Sequence, residues 1–455
     1  MSDTPAPVSV HTYAQAEQAL LDRWPETRLE PSLDRIAAFT ELLGEPQRSY
    51  PVLHLTGTNG KTSTSRMVDT LVRTAGLRTG RFTSPHVESM TERISLDGEP
   101  LTEEQFVEAY NDVAGVAELV DEEGAHRLSF FETVVGMAFA TFANAPVDAA
   151  VVEVGMGGTW DATNVADATV AVILPVAVDH SSYLGARPVD IAREKAGIIK
   201  PGSTVVCAVQ ADDVAAVIAE RAAEVGATVL WEGRDFGVAQ RVPAVGGQML
   251  RLSGLRAEYD EVFLPLYGAH QAQYAAVALA AVEAFIGEQD PLGGDLVREA
   301  FAEVTSPGRL EVIRRSPTIV LDAAHNPHGA AAVVDALDDS FTFSPLIGLV
   351  AVMADKDYEG VLATFEPAMA AIVCTQNSTD RSLPAEELAE VARGIFGIDR
   401  VYVEPRLENA IDRAATLAEE GGVFGEAIGS GGVLVTGSVV TVGDARRLLK
   451  PGRRR

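Results

Sequence analysis

The chain has 455 residues, nearly half of them hydrophobic, which is more than one ordinary core accommodates, so two or three domains are expected. Its net charge of −29 argues against nucleic acid or an anionic membrane as a partner, and any anionic ligand needs cations gathered locally. No basic-then-apolar leader and no apolar run of membrane-spanning length is evident, so a cytoplasmic protein is expected.

In chain order, residues 11–44 read as helical and lead to an apolar strand, Pro51 to Leu55. A glycine-rich turn follows, then a stretch with helical spacing at Met67, Val68, Leu71 and Val72. Residues 103–121 and 130–143 also have helical spacing. Val147 to Val154 is a buried strand carrying Glu153 near its end, and Thr169 to Val178 is another, ending in Asp179-His180. Helix, strand, helix and strand continue to Trp231, the alternation of a parallel, doubly wound α/β sheet. Residues 236–266 alternate apolar and polar with glycines, an antiparallel excursion. Helices at about 269–287 and 293–304 close a first domain, 1–305, and Ser306-Pro307-Gly308 is the linker. Strands near 317–322, 345–350, 370–375 and 432–436 alternate with helices in a smaller α/β domain, 306–455. Its Arg453-Arg454-Arg455 end reads as a solvated tail. The two cysteines, Cys207 and Cys374, lie in strand-like runs and read as buried thiols of a reducing compartment.

The turn Gly57-Thr58-Asn59-Gly60-Lys61-Thr62 stands between strand and helix, the context of a phosphate-binding loop. Backbone N–H groups of such a turn face phosphate oxygens, while Lys61 and Thr62 reach phosphate and Mg²⁺. It is a variant, because the general pattern places glycine where Leu55 stands. The plain alternative is a Gly/Asn turn with an exposed lysine.

Ligands of an open parallel sheet bind beyond the carboxyl ends of its strands, where Ser84, Glu153 and His180 are expected. The oxygen ligands suit Mg²⁺, and the histidine hints at a second metal position. Singly, Ser84 reads equally as a turn cap, Glu153 as an ion-pair partner and His180 as a core histidine. Lys195 reads, on sequence alone, as an exposed helical lysine paired with an acid. Asp322 and His325 follow a buried strand and suit ribose or phosphate contact, with helix capping the alternative for Asp322. Arg309 reaches a phosphate or pairs with a surface acid.

Six motifs stand together in order: Gly57 to Thr62, Thr83-Ser84-Pro85-His86, Glu153 to Gly158 with Asp161-Ala162-Thr163-Asn164, Asp179-His180, Glu194-Lys195-Ala196-Gly197, and Asp322-Ala323-Ala324-His325-Asn326-Pro327. In this the chain resembles the folylpolyglutamate synthase and dihydrofolate synthase branch of the Mur ligase superfamily, from about residue 28 to 448. The resemblance implies a P-loop ATPase domain with a parallel doubly wound sheet, followed by a smaller Rossmann-like domain that binds glutamate. It implies an ATP-dependent amide ligase, in which a pteroate or folate carboxylate becomes an acyl phosphate that the amine of L-glutamate then attacks. Such a reaction asks for positioning and charge neutralisation rather than a protein nucleophile.

By the same resemblance, Lys61 offsets charge on the transferred phosphoryl group. Ser84 and Glu153 hold one Mg²⁺, and His180 sits on a second. Lys195 stands where the family carries a carbamylated lysine, so it becomes a metal and catalytic residue along with His180. Pterin contacts map onto Leu29, Glu30 and Pro31, onto Ser129, Phe130, Phe131 and Glu132, and onto Trp160, Asp161 and Ala162. Without the resemblance, Phe130 and Phe131 read as ordinary core; with it, Phe131 and Trp160 offer aromatic faces to a flat heterocycle. Arg309 and Asp322, with His325 nearby, take the ATP base and ribose. One departure stands out. The family's His-Gln-x-x-Asn is here His270-Gln271-Ala272-Gln273-Tyr274, so Tyr274 replaces an asparagine that contacts nucleotide. Glutamate is expected on Lys356, Asp357 and Ser438, for which a solvated loop and a strand-end turn are the plainer readings.

The leading expectation is a bifunctional ligase, monomeric, acting on dihydropteroate and tetrahydrofolates with L-glutamate. A folate-only enzyme and a cell-wall Mur ligase acting on a UDP-sugar peptide are the enzymatic alternatives. The latter is disfavoured by the short stretch before Gly57. A nucleotide-binding protein without catalysis is the third, against which Lys61, Glu153, His180 and Lys195 together speak.

Overall fold

The computed structural model describes residues 9–25, 31–124, 126–179, 181–287, 290–420 and 430–450, without the side chain of Ser182. The chain divides into two compact units. The first comprises Met1–Gln240, Leu250–Phe263 and Gln273–Val304, and the second Arg241–Met249, Leu264–Ala272 and Thr305–Arg455.

The strands of the first unit's main sheet are β1 (Val52–Thr56), β2 (Thr79–Phe82), β3 (Ile94–Leu96), β4 (Glu99–Pro100), β5 (Ala149–Glu153), β6 (Ala168–Ile173), β7 (Thr204–Cys207) and β8 (Thr228–Trp231). Their order is β4-β3-β2-β5-β1-β6-β7-β8. The run from β2 to β8 is parallel, and β3 and β4 extend it antiparallel at one edge. Central strands β1 and β5 are buried at every position, as apolar runs covered on both faces require. In register, Leu55 lies beside Glu153 and Thr56 beside Ile173. That pairing brings the carboxylate at the end of β5 next to the turn leaving β1.

The strand expected over Thr169–Val178 stops at Ile173. Proline at 175 has no N–H to continue a ladder, and Leu174 to Ala177 instead bond to the chain leaving β1: Leu174 N–H donates to Thr56 O at 2.9 Å, and Thr58 N–H to Pro175 O at 3.0 Å. Asp179 therefore lies in a loop beyond the strand rather than at its end, and His180 lies outside the described residues.

A three-stranded sheet, β9 (Gly237–Ala244), β10 (Gly247–Ser253) and β11 (Glu258–Leu264), fills the expected excursion. The second unit carries β12 (Glu311–Arg315), β13 (Thr318–Leu321), β14 (Leu346–Val350), β15 (Ala371–Cys374), β16 (Val401–Val403) and β17 (Gly432–Thr436), in the order β12-β13-β17-β14-β15-β16. β13 to β17 are parallel, and β12 adds an antiparallel edge. The sequence reading lacked β12 and β16. Both are edge strands without a fully buried residue; β12 is charged at three of its five positions, and the apolar run of β16, Val401-Tyr402-Val403, is only three residues long. No helix among the described residues is long and apolar enough to cross a membrane. Both cysteines are free and buried.

Candidate active site

The helix Lys61–Thr74 begins directly from the turn, with Gly60 at its N-cap in the left-handed region (φ +90°) and no side-chain cap on its first N–H groups. Uncapped donors at a helix start suit an anion. Only glycine fits at residue 60, because an added Cβ would stand 2.4–2.8 Å from the ring of Tyr274. Tyr274 is thus packed against the phosphate loop, with 5% of its surface exposed. The loop is fastened on its other side by Thr58, whose hydroxyl donates to Ala177 O (2.9 Å) and accepts from Ala177 N–H (3.0 Å).

Four side chains predicted from sequence meet at this loop. The Lys61 ammonium folds back to donate to Gly57 O (3.0 Å) and Thr58 O (3.3 Å). The Thr62 hydroxyl lies 3.1 Å from both oxygens of Glu153, a carboxylate only 1% exposed. Lys195, the last residue of the helix Pro188–Lys195, donates to Gly57 O at 3.0 Å. It is 4% exposed, which overturns the surface-lysine reading. Burial first, then the nearby Lys61 charge, pushes its amine down to about 7 against the pull of Asp179, Asp161 and Glu194. Gly158 explains the close fit. A Cβ there would stand 2.6 Å from Glu194 O and 2.8 Å from Lys195 O, so the two glycine-containing motifs pack backbone on backbone.

Ser84 follows β2 in a half-buried loop with a cis peptide to Pro85. His86 Nδ1 accepts from Arg93 Nε at 3.0 Å, and the Arg93 guanidinium lies over the Phe130 ring, 4.9 Å from its centre.

The residues predicted for the pterin divide by what their polar atoms do. Leu29 and Glu30 lie outside the described residues, and Pro31 is exposed. Ser129 and Glu132 form a reciprocal capping box at the start of the helix Phe130–Asn144, and Glu132 also pairs with Arg35 at 3.0 Å. Phe130 is buried; Phe131 is half-buried against Phe82, ring centres 5.8 Å apart. Asp161 is fully engaged: its carboxylate accepts from Met156 N–H (2.9 Å), Thr163 N–H (3.0 Å) and the Thr163 hydroxyl. Burial raises its pKa and those hydrogen bonds oppose the rise. Trp160 is half-buried, its backbone N–H donating to Glu194 Oε1 at 3.3 Å, and Ala162 is buried.

The sequence reading passed over His54. Its Nε2 stands 2.8 Å from the same Thr163 hydroxyl, and burial pushes its imidazole down to about 3, so it stays neutral. The signal was a lone polar residue within the apolar strand leading to the loop.

In the second unit, Asp322 is 4% exposed and accepts from Leu310 N–H (2.9 Å) and Ala324 N–H (2.8 Å). Its pKa is raised by burial, opposed first by the Arg309 charge. The helix Pro327–Ser340 is capped by Asn326, not by Asp322. His325 Nδ1 lies 3.0 Å from Ala323 O, and Arg309 donates to Gly308 O at 3.1 Å. Asp357 caps the helix Tyr358–Phe365 through Gly360 N–H. Ser438, 2% exposed, caps Val439–Leu449 through Thr441 N–H (3.0 Å) and takes a bond from Asn377 Nδ2 (3.2 Å). Lys356 is half-buried beside Asp357.

Residues 55–282 match the Mur ligase middle domain, and residues 308–439 match the Mur ligase glutamate ligase domain. The chain is 48% identical to a dihydrofolate synthase/folylpolyglutamate synthase of Mycobacterium tuberculosis, over 98% of this chain and 95% of that protein. It is 33% identical to a folylpolyglutamate synthase of Lacticaseibacillus casei, over 77% of this chain and 82% of that one. The fold superposes on M. tuberculosis folylpolyglutamate synthase complexed with ADP with a TM-score of 0.93, at 48% identity, covering 97% and 98% of the two chains. It also matches E. coli FolC in complex with DHPP and ADP, with a TM-score of 0.84 at 26% identity, covering 97% and 99%.

Proposed function

The chain belongs to the Mur ligase family, in its dihydrofolate synthase and folylpolyglutamate synthase branch, and we propose that it is bifunctional, acting on dihydropteroate as well as on tetrahydrofolates. It is an ATP-dependent ligase that joins glutamate to folates. The observation that carries a residue assignment is the convergence of Lys61, Thr62, Glu153 and Lys195 on the Gly57–Thr62 turn.

In the first step an oxygen of the acceptor carboxylate bonds to the γ-phosphorus of ATP as the bridging P–O bond breaks, giving acyl phosphate and ADP. In the second, the amine of glutamate bonds to the acyl carbon. The tetrahedral adduct then expels phosphate and sheds the amine proton. Both steps bring anions together, so the protein's part is placement and charge. N–H groups at the start of Lys61–Thr74 receive the phosphates, and Lys61 follows the charge onto the transferred group. Thr62 and Glu153 form an all-oxygen donor pair 3.1 Å apart, which fits Mg²⁺, with Ser84 as a further oxygen. When bound, that ion offsets charge on the phosphoryl oxygens. Lys195 is suited to carbamylation, because an amine pushed down to about 7 is substantially neutral at physiological pH. Its neutral nitrogen would bond to the carbon of CO₂ and release a proton, giving a carbamate anion that would hold a metal where an ammonium would repel it. His180 is assigned to a second metal position by resemblance alone.

Phe131 and Trp160 supply the pterin faces, while Ser129, Glu132 and Asp161 hold the backbone that presents them. Arg309 and Asp322, with His325 nearby, are assigned to the nucleotide, along with Tyr274. Lys356 is assigned to a carboxylate of glutamate, with Asp357 and Ser438 setting the helix starts beside it. Two free thiols and acidic, soluble-type composition accord with work in the cytoplasm.

Glutamate-dependent phosphate release with ATP and Mg²⁺, comparing dihydropteroate with tetrahydrofolate as acceptor, tests the reading. Turnover of both is expected. Turnover of tetrahydrofolate alone leaves a polyglutamylating enzyme, and turnover of neither overturns the reading.

A further inference from the structure

Arg66 has no role in the assignment above, and its surroundings are unusual. It lies one turn beyond Thr62 on the helix Lys61–Thr74, hence on the same face. Helical side chains lean toward the N-terminus, so Arg66 covers the turn that holds Thr62 against Glu153. The side chain is half-buried, and its Nε is buried with no hydrogen-bond partner. Among the described residues no carboxylate pairs with its guanidinium, although three lie in its field: Glu92, Asp69 and Glu153.

Each of the three is committed elsewhere. Glu92 accepts from the N–H groups of Val87 (2.9 Å), Glu88 (2.9 Å) and Ser89 (3.0 Å). Asp69 takes the Thr79 hydroxyl at 2.5 Å and lies 3.4 Å from Arg73 and 3.8 Å from Arg81. Glu153 receives Thr62. The 2%-exposed Arg81 adds repulsion rather than a partner. Burial, and then Arg81, pushes the Arg66 guanidinium down to about 9. A partly desolvated cation lacking an internal counter-ion is costly unless an anion arrives from outside.

We propose that Arg66 binds the reacting carboxylate of the acceptor and holds it beside the phosphate loop. This rests on the ligase reading above. Lys61 already stands on the loop itself, as a point charge for phosphate. Arg66 stands a turn away, beside the metal-site carboxylate, and its planar fork matches the two oxygens of a carboxylate. An acceptor carboxylate approaching a triphosphate needs such a cation, since the two anions otherwise repel.

The test is a cycle between enzyme charge and ligand charge in the full-length protein. Dissociation constants for dihydropteroate and for its carboxamide, which lacks the anion, are measured on wild type, Arg66→Lys and Arg66→Met. Affinity for the non-hydrolysable nucleotide AMPPCP is measured in parallel. Wild type is expected to prefer the acid by about tenfold, in the range of a charged hydrogen bond. Arg66→Lys should keep part of that preference and Arg66→Met none, with AMPPCP affinity unchanged in both. Full preference retained in Arg66→Lys and Arg66→Met overturns the proposal, and so does a loss confined to AMPPCP, which would make Arg66 a phosphate contact. Should Arg66→Met fail to fold, the comparison of acid with carboxamide on Arg66→Lys still decides. A wild-type protein that binds neither acceptor overturns the proposal for dihydropteroate, together with the bifunctional reading on which it rests.

Discussion

The two units use the polar residues at their strand-to-helix turns in opposite ways. In the first, Lys61, Thr62, Glu153 and Lys195 point from three separate elements at one short turn, and the helix that follows starts without a side-chain cap. In the second, Asp322, Asn326, Asp357 and Ser438 turn back on their own backbone, each accepting from a nearby N–H. The difference lies in what remains for a ligand. An uncapped helix start with cations around it is an anion site, whereas a capped one has spent that capacity on folding. Position at a strand end alone does not distinguish the two.

The sharpest way to break this contrast is to remove a converging group. Glu153→Ala is expected to lower glutamate-dependent turnover by about 1,000-fold, the upper range for loss of one preorganised charge-stabilising element. Lys61→Ala is expected to do the same, with thermal unfolding close to wild type in both. Turnover near wild type at saturating ATP and Mg²⁺ would remove these residues from the chemistry and leave the convergence a packing feature.

Lys195 comes next. On the proposed role, Lys195→Ala is expected to lose roughly 100-fold in turnover, the upper range for a group that supports a metal site, and to recover part of it with an added short carboxylic acid. Its titration gives an independent readout. The folded-state value, about 7, lies below that of an ordinary lysine. Between the two values the unfolded chain holds the proton and the folded chain does not, so stability rises with pH across that window. Below about 7 both states hold it, and the cost of the buried charge is fully present. In CO₂-free buffer, wild type should therefore gain stability from about pH 7 upward, and Lys195→Met should lack that slope. Parallel slopes in the two proteins would show that the amine is not titrating where its burial places it.

Much of this arrangement was legible in the sequence. The apolar run into Gly57–Thr62 and the apolar run ending at Glu153 announced parallel strands, and their adjacency in the sheet brings loop and carboxylate together. Burial of Lys195 was not legible, because the acid beside it, Glu194, suggests a surface pair. What buries the lysine is a backbone contact that Gly158 permits from a distant turn. Ser129 and Glu132 had the spacing of a capping box, and that local role accounts for their polar atoms. Arg66 stood out by no local pattern. Its meaning comes from neighbours on other elements, all of them already engaged.

The smallest effects test the second unit. Asp357→Ala removes an exposed cap, and a loss of about 0.5–1 kcal/mol in stability is expected. Ser438→Ala removes a buried cap that also receives Asn377, so about 1–2 kcal/mol is expected there, from the cap together with an unpaired donor. If these residues serve the backbone, KM for glutamate should move by less than about threefold in either variant, below the tenfold per 1.4 kcal/mol that a lost ligand contact would cost. Lys356→Ala should behave in reverse, raising KM for glutamate by about tenfold with little change in melting temperature. A tenfold rise in Asp357→Ala without loss of stability would mean that the carboxylate meets the amine of the incoming glutamate. The contrast between the two units would then fail at that residue, because a side chain that caps a helix in one state would be a ligand contact in another.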